Sequence, residues 1–244
     1  YQWRRRGEDH MLDPDTVASP GSWDAALRAV GAVTQAIDHV VQGTLSAAFC
    51  ALRPPGHHAL ADRAMGFCLF NNVAIGARYA QRRRGLSRIL IVDWDVHHGN
   101  GTQAIFYDDP SVLYFSTHQF PFYPGTGSRK ETGAEKGTGS TINVPLPAGA
   151  GDRELLQAFR TELVPKAREF NPDLVLISAG FDAHRDDPLA GLAVTESGYA
   201  ELTRIVRTIA DSCCRGRIVS VLEGGYDLRA LGASVEAHLR ELMA

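Results

Sequence analysis

The sequence predicts an α/β domain in which a parallel sheet forms the middle of three layers, with helices on both faces. Three observations carry this. Short runs that are almost wholly apolar recur: "LSAAFCAL" (45–52), "RILIVDW" (88–94), "SVLYFST" (111–117), "DLVLISAG" (173–180) and "RIVSVLEGG" (217–225). Strands buried on both faces read this way, whereas strands with one wet face alternate. Amphipathic stretches of helical period separate these runs, the pattern of repeated strand–helix–strand units. At 244 residues, with no repeat and no domain-breaking linker, the chain reads as one domain with a full core.

Taken in order, residues 22–42 place Ala26, Val30, Val33, Ile37, Val40 and Val41 at helical spacing, with Ser22 as the expected N-cap. The strand 45–52 is stopped by Arg53-Pro54-Pro55-Gly56. Residues 66–85 read as a loop entering a helix that Gly85 closes. The strand 88–94, a short helix near 101–107 and the strand 111–117 follow. Residues 119–151 are rich in Gly, Pro, Ser and Thr with no apolar period except "STINVPL". They read as one long loop, and long loops in compact domains are usually functional. A helix over 152–170 is bent or restarted by Pro165. The strand 173–180, a helix over 195–214 opening at Thr195-Glu196-Ser197, the strand 217–225 and a helix over 228–243 complete the chain.

Composition excludes some function classes. A formal net charge of −3 provides no electrostatic footprint for nucleic acid. Arg4-Arg5-Arg6 and Arg82-Arg83-Arg84 read as solvated loops or helix ends. Cys50, Cys68, Cys213 and Cys214 form no C-x-x-C pair, and the first two sit among apolar residues, which favours core packing and a reducing, cytoplasmic setting. No run of about 18 apolar residues is present to span a membrane, and no signal-peptide pattern is seen. The sequence opens at Tyr1 rather than Met, in a polar, Arg-rich segment, so further residues are expected before it. Self-association is left open.

In parallel sheets the ligand site lies beyond the carboxyl ends of the strands. The five strands here are followed by "RPPGHHA", "DWDVHHGNG", "THQFPFYPGTG", "GFDAHRDDPLAG" and "EGGYDL". Burying that much unpaired charge costs several kcal/mol per group, by order of magnitude. A salt-bridge network, a proton-transfer site or a metal would each relieve it. In extended geometry Asp93, Asp95 and His97 share one side, with Trp94 and Val96 on the other. Asp182 adds a carboxylate from another strand end. Asp95, His97 and Asp182 make three protein ligands, the number a catalytic divalent ion takes while keeping positions for water and substrate. His57 and His58 diverge too much to share one ion and suit acid and base roles beside it. Tyr226 after two glycines could donate to an oxyanion, and Phe67, Phe122 and Tyr123 could wall a narrow channel.

With these motifs in hand, the chain resembles the histone deacetylase family, in its class II and bacterial acetylpolyamine-amidohydrolase-like branch. The resemblance runs from about Asp13 to about Leu231 through "RPPGHHA", "GFCLFNN", "DWDVHHGNG", "YPGTG", "NVPLP", "SAGFDAHRDDPLAG" and "LEGGYDL". It implies the arginase/deacetylase fold and a single catalytic domain over 1–244. It implies Zn²⁺ on Asp95, His97 and Asp182, a set hard enough to take Fe²⁺ as well. It implies a structural K⁺ held by main-chain oxygens of Asp93, Asp95 and His97 with Ser116 and Thr117. His57 and His58 would be the paired imidazoles, with Asp93 behind His57, and Tyr226 the oxyanion donor. Asp15, Gly66, Phe67, Tyr123 and Gly225 would meet the substrate, an acetylated lysine, an acetylpolyamine or another small amide.

Asn100 stands where several members carry Asp behind the second histidine. An amide cannot stabilise imidazolium as a carboxylate does, so His58 is expected neutral at rest and His57 the more basic. The implied reaction is metal-assisted amide hydrolysis. Two rivals stand beside it. A binuclear-manganese ureohydrolase on the same fold would want a second Asp where "FDAH" has His184. A non-catalytic, zinc-dependent acetyl-lysine binding module would leave the His-His-Asp-Tyr set without a use.

Overall fold

The structure is a computed structural model that describes residues 8–244; the Arg4-Arg5-Arg6 run lies outside the described residues. Two short strands, β1 (His10–Asp13) and β2 (Thr16–Ala18), pair antiparallel and precede α1 (Ser22–Gln42). The remaining elements are β3 (Ala47–Cys50), α2 (Asn72–Arg84), β4 (Ile89–Asp93), α3 (Asn100–Phe106), β5 (Val112–Gln119), β6 (Thr141–Leu146), α4 (Asp152–Ala158), α5 (Val164–Phe170), β7 (Leu174–Ala179), α6 (Glu196–Cys214), β8 (Ile218–Leu222) and α7 (Leu228–Met243). Six strands form one sheet in the order β3-β8-β7-β4-β5-β6, and every neighbouring pair is parallel.

The apolar runs are continuous because each strand feeds two cores. On β4, Leu90 and Val92 pack with Phe159, Leu163, Leu202 and Val206 on one face. Ile89 and Ile91 pack with Val33, Ile37, Val73 and Ala77 of α1 and α2 on the other. All five residues of β4 are buried. Burial of such side chains contributes about 1.5–3 kcal/mol each, and neither face of the strand can be polar without losing it.

Two expectations are corrected. Gly21, not Ser22, is the N-cap of α1, and the Ser22 hydroxyl instead accepts from the Ser19 amide at 2.9 Å. The stretch 119–151 is not one loop, because Thr141–Leu146 pairs in register with Tyr114–Gln119 as an edge strand. Pro145 is tolerated there because an edge strand needs no donor on its outer side. The helix over 152–170 restarts as expected: a π-turn over Phe159–Leu163 separates α4 from α5, with Pro165 in the first turn of α5. The other helix ends follow local chemistry: Gly43 and Gly85 close α1 and α2 in left-handed geometry, and the Thr195 side chain caps α6. Among the described residues the four cysteines are free, and no helix is long and apolar enough to cross a membrane.

The parallel register aligns the strand ends. Asp93 stands opposite Ser116 on β5 and Ser178 on β7, and Ser178 opposite Val221 on β8. The segments after β3, β4, β7 and β8 therefore leave the sheet at one edge.

Candidate metal and active site

Asp95, His97 and Asp182 meet at that edge, each offering a ligand atom within 4.8 Å of the others. Their free valences are partly used by the fold. Asp95 Oδ1 accepts from the His97 amide at 2.9 Å, Asp95 Oδ2 from the Gly224 amide at 2.8 Å, and Asp182 Oδ1 from the Val96 amide at 2.9 Å. His97 Nδ1 lies 3.0 Å from Asp95 Oδ1 and 3.2 Å from Asp182 Oδ2. Among the described residues Asp182 Oδ2 is fully buried and receives no directed hydrogen bond. Glycine is required on both sides of this cradle: a Cβ at Gly224 would stand 2.0 Å from Asp182 Oδ2, and one at Gly180 2.1 Å from Asp95 Oδ2.

The electrostatics ask for a cation. Burial and the charge of Asp95 push the Asp182 carboxyl up to about 6. Burial also opposes ionisation of Asp95, but His57 and His97 outweigh it and hold that carboxyl well below its ordinary range. His97, despite burial, is lifted to about 10 by Asp182 and Asp95. Two buried carboxylates and an imidazole whose ligand atoms lie this close fit a divalent ion of borderline hardness.

His57 and His58 follow the Pro54-Pro55-Gly56 corner after β3. The His57 Nδ1–H donates to Asp93 Oδ2 at 3.0 Å, and the Tyr114 hydroxyl donates to the same oxygen at 3.1 Å. The His58 Nδ1–H donates to Asn100 Oδ1 at 2.8 Å, which leaves its Nε2 lone pair free. Burial disfavours charge on both rings. At His57 the carboxylates of Asp93 and Asp95 more than offset it, holding the imidazole well above its ordinary range. At His58 burial and the neighbouring His57 push the imidazole well below it.

These rings floor a cavity of about 210 Å³ whose wall includes Asp15, Gly66, Phe67, Asp95, His97, Tyr123, Leu189, Gly224 and Tyr226. Phe67 and Tyr123 stand at its half-open rim. The Tyr123 ring meets His58 edge-on at 5.1 Å, and Phe122 stacks on His97 at 5.4 Å. Asp15 Oδ1 accepts from the Thr16 hydroxyl at 2.7 Å and the Gly66 amide at 3.0 Å. The Tyr226 phenol is kept protonated by burial and by the charges of Asp95 and Asp182, and its amide is tied to Asp187 Oδ2 at 2.8 Å. Gly224 rather than Gly225 forms the wall; Gly225 turns the chain at φ 139°.

Ser116 and Thr117 lie beside Asp93 on β5. The Ser116 hydroxyl is engaged with His118 Nδ1 at 2.9 Å, while the Thr117 hydroxyl is buried with no partner among the described residues. His184 makes its contacts with the Asp186 amide at 3.1 Å and Glu196 at 3.6 Å.

Sequence reasoning missed Glu223. This fully buried carboxylate accepts from the Gly56 amide at 2.6 Å, the His57 amide at 3.2 Å and the Ser178 hydroxyl at 3.0 Å. The anomaly that singles out Asp93, an acid ending a buried apolar strand, was equally present in "RIVSVLE".

The histone deacetylase domain family matches residues 2–242. The chain belongs to the histone deacetylase family. Among its relatives, Histone deacetylase 14, chloroplastic, of Arabidopsis thaliana is 46% identical over 233 residues, covering 93% of this chain and 55% of that protein. A probable deacetylase of Archaeoglobus fulgidus is 46% identical over 218 residues, covering 89% and 60%. Human histone deacetylase 9 is 47% identical over 242 residues, covering 95% and 24%. The crystal structure of the HDA15 HD domain superposes with a TM-score of 0.92 at 44% identity, covering 96% of this chain and 66% of that one. The chain thus has the deacetylase fold and spans about half the length of the first two curated relatives it matches.

Proposed function

We propose that this histone deacetylase family chain hydrolyses the acetyl amide of acetyl-lysine or acetylpolyamine-type substrates with a zinc ion held by Asp95, His97 and Asp182. The single observation that carries the reading is the meeting, at one cavity, of Asp95 and His97 of the three-ligand cluster, a histidine pair of opposed basicity and a protonated phenol.

Held by Asp95, His97 and Asp182, a divalent ion would supply Lewis-acid polarisation of the acetyl carbonyl and a more acidic water. His58 supplies the base, because it lines the cavity and its Nδ1 proton is committed to Asn100, which leaves Nε2 as the acceptor. His57, kept charged by Asp93 and Asp95, holds a proton for the leaving amine. Tyr226 donates to the oxygen on which negative charge develops. Phe67 and Tyr123 line the approach and exclude water from a linear side chain. Asp15 keeps an acceptor at the mouth for a substrate N–H. Iron(II) suits the same ligand set. A structural potassium ion beside Asp93, Asp95, His97, Ser116 and Thr117 is part of this reading, and the orphaned Thr117 hydroxyl supports it.

The test is a panel of acetyl-lysine peptides, N-acetylputrescine and acetylspermidine assayed with and without a chelator, and again after Zn²⁺ is restored. Chelator-sensitive acetate release that zinc restores is expected. Zinc-loaded protein that releases acetate from none of them would leave a binding module as the better reading.

A further inference from the structure

His57 has to travel to reach its partner. Its loop leaves β3, yet Asp93 ends β4, and the sheet order puts β8 and β7 between them. The segment Gly56-His57 therefore crosses the ends of two strands before its imidazole stands 3.0 Å from Asp93. Backbone crossing a sheet edge has no ladder to take its N–H groups, and buried N–H groups need acceptors.

Glu223, one residue beyond β8, sits under that crossing. Its Oε2 takes both the Gly56 and His57 amides at 2.6 and 3.2 Å, and its Oε1 takes the Ser178 hydroxyl of β7 at 3.0 Å. Its main chain is tied down as well. The Glu223 amide donates to Ala179 O at 3.0 Å, and the Arg53 guanidinium donates to Glu223 O. The next amide, Gly224, donates to the metal-ligand candidate Asp95. One dipeptide thus ties the histidine loop to the ligand cluster, although Glu223 itself is absent from the cavity wall.

We propose that Glu223 is a positioning residue: by accepting from the Gly56 and His57 amides it sets the histidine pair at its distance from the Asp95–His97–Asp182 cluster. The proposal rests on the deacetylase reading for its catalytic consequence, and on the hydrogen bonds alone for its structural one. Misplacement by about 1 Å of a group that moves protons costs on the order of 10² in turnover. Because the contacts are hydrogen bonds to N–H groups, a neutral acceptor of the same length serves. A glutamine can accept both amides at Oε1 while its Nε2 donates to Ser178. An aspartate is one methylene too short to reach them.

Two variants and two measurements decide it. Glu223→Gln is expected to keep kcat within about fivefold of the parent, and Glu223→Asp to lose about 10² in kcat with KM within about threefold and zinc content unchanged. By NMR hydrogen exchange on zinc-loaded protein without substrate, the Gly56 and His57 amides stay protected in Glu223→Gln and lose protection in Glu223→Asp. Equal loss in both variants would assign the role to the negative charge and overturn the proposal, as would full kcat in Glu223→Asp or a change confined to KM. If the parent protein hydrolyses no acetylated substrate, the deacetylase reading fails, while the exchange measurement still decides whether Glu223 holds the loop.

Discussion

The imidazoles of His57 and His58 lie 4.0 Å apart, tilted by 45°, and are backed by chemically different groups, a carboxylate and an amide. That asymmetry sets the order of their basicity. Giving His58 a carboxylate partner through Asn100→Asp should stabilise its imidazolium and raise its pKa. A base must be neutral to work, so the acidic limb of the kcat/KM profile should move to higher pH. Measuring kcat/KM from pH 5 to 9 for both proteins checks this. A limb that stays put or moves down would remove His58 from the role of base.

Tyr226 is anchored at its amide by Asp187 and keeps its proton because burial and two nearby carboxylates disfavour the phenolate. Tyr226→Phe removes the hydroxyl alone. Loss of one oxyanion donor typically costs about 10²–10³ in turnover. We expect that loss with metal stoichiometry unchanged, measured by steady-state kinetics beside elemental analysis. Unaltered turnover would leave the oxyanion without Tyr226.

The ligand cluster should trade stability for affinity. A ligand that binds only the folded state at a hundredfold excess over its Kd adds about 2.7 kcal/mol, about 5–10 °C in Tm for a chain of this size. Zinc added to chelated protein should produce a shift of that order by calorimetry. Asp182→Asn should abolish it, because the amide cannot replace a carboxylate ligand. The same variant, metal-free, should melt higher than the metal-free parent. Asn keeps an acceptor for the Val96 amide and removes a buried like charge beside Asp95.

The parts of this molecule that were legible in the sequence share one property: their signal is local. Strand β4 reads as buried because Ile89 to Val92 serve two cores at once, and Asp95, His97 and Asp182 stand out because acids and imidazoles end such strands. Strand β6 was harder. Thr141 and Asn143 are buried polar residues, Pro145 interrupts the run, and Gly, Ser and Thr surround it, so what makes the segment a strand is β5 beside it. Glu223 was hidden for a related reason. Its partners, Gly56, His57 and Ser178, are 45 to 167 residues away, and only the strand order brings a crossing loop above it.

Among the described residues four further histidines are buried outside the cavity wall, His98, His118, His184 and His238, and three of them, His98, His118 and His238, make the fold sensitive to acid. His238 is held between the Thr203 hydroxyl at 2.7 Å and the Ser220 hydroxyl at 2.9 Å. His98 and His118 pack 4.8 Å apart under the loop that carries Glu131. Burial pushes His238 and His98 down to about 3 and His118 down to about 4, with the neighbouring ring adding to the effect at His98. The unfolded chain takes protons on all three near pH 6.5, whereas the folded chain does not. Their contribution is therefore complete above about pH 6.5 and is lost as pH falls towards 4. The slope is about 1.4 kcal/mol per pH unit for each histidine, about 4 for the three. His238→Gln should remove about a third of that slope, whatever it does to stability at neutral pH. Urea unfolding at pH 7, 6, 5.5 and 5 measures it, and an unchanged slope in the variant would mean that His238 already carries its proton in the native core.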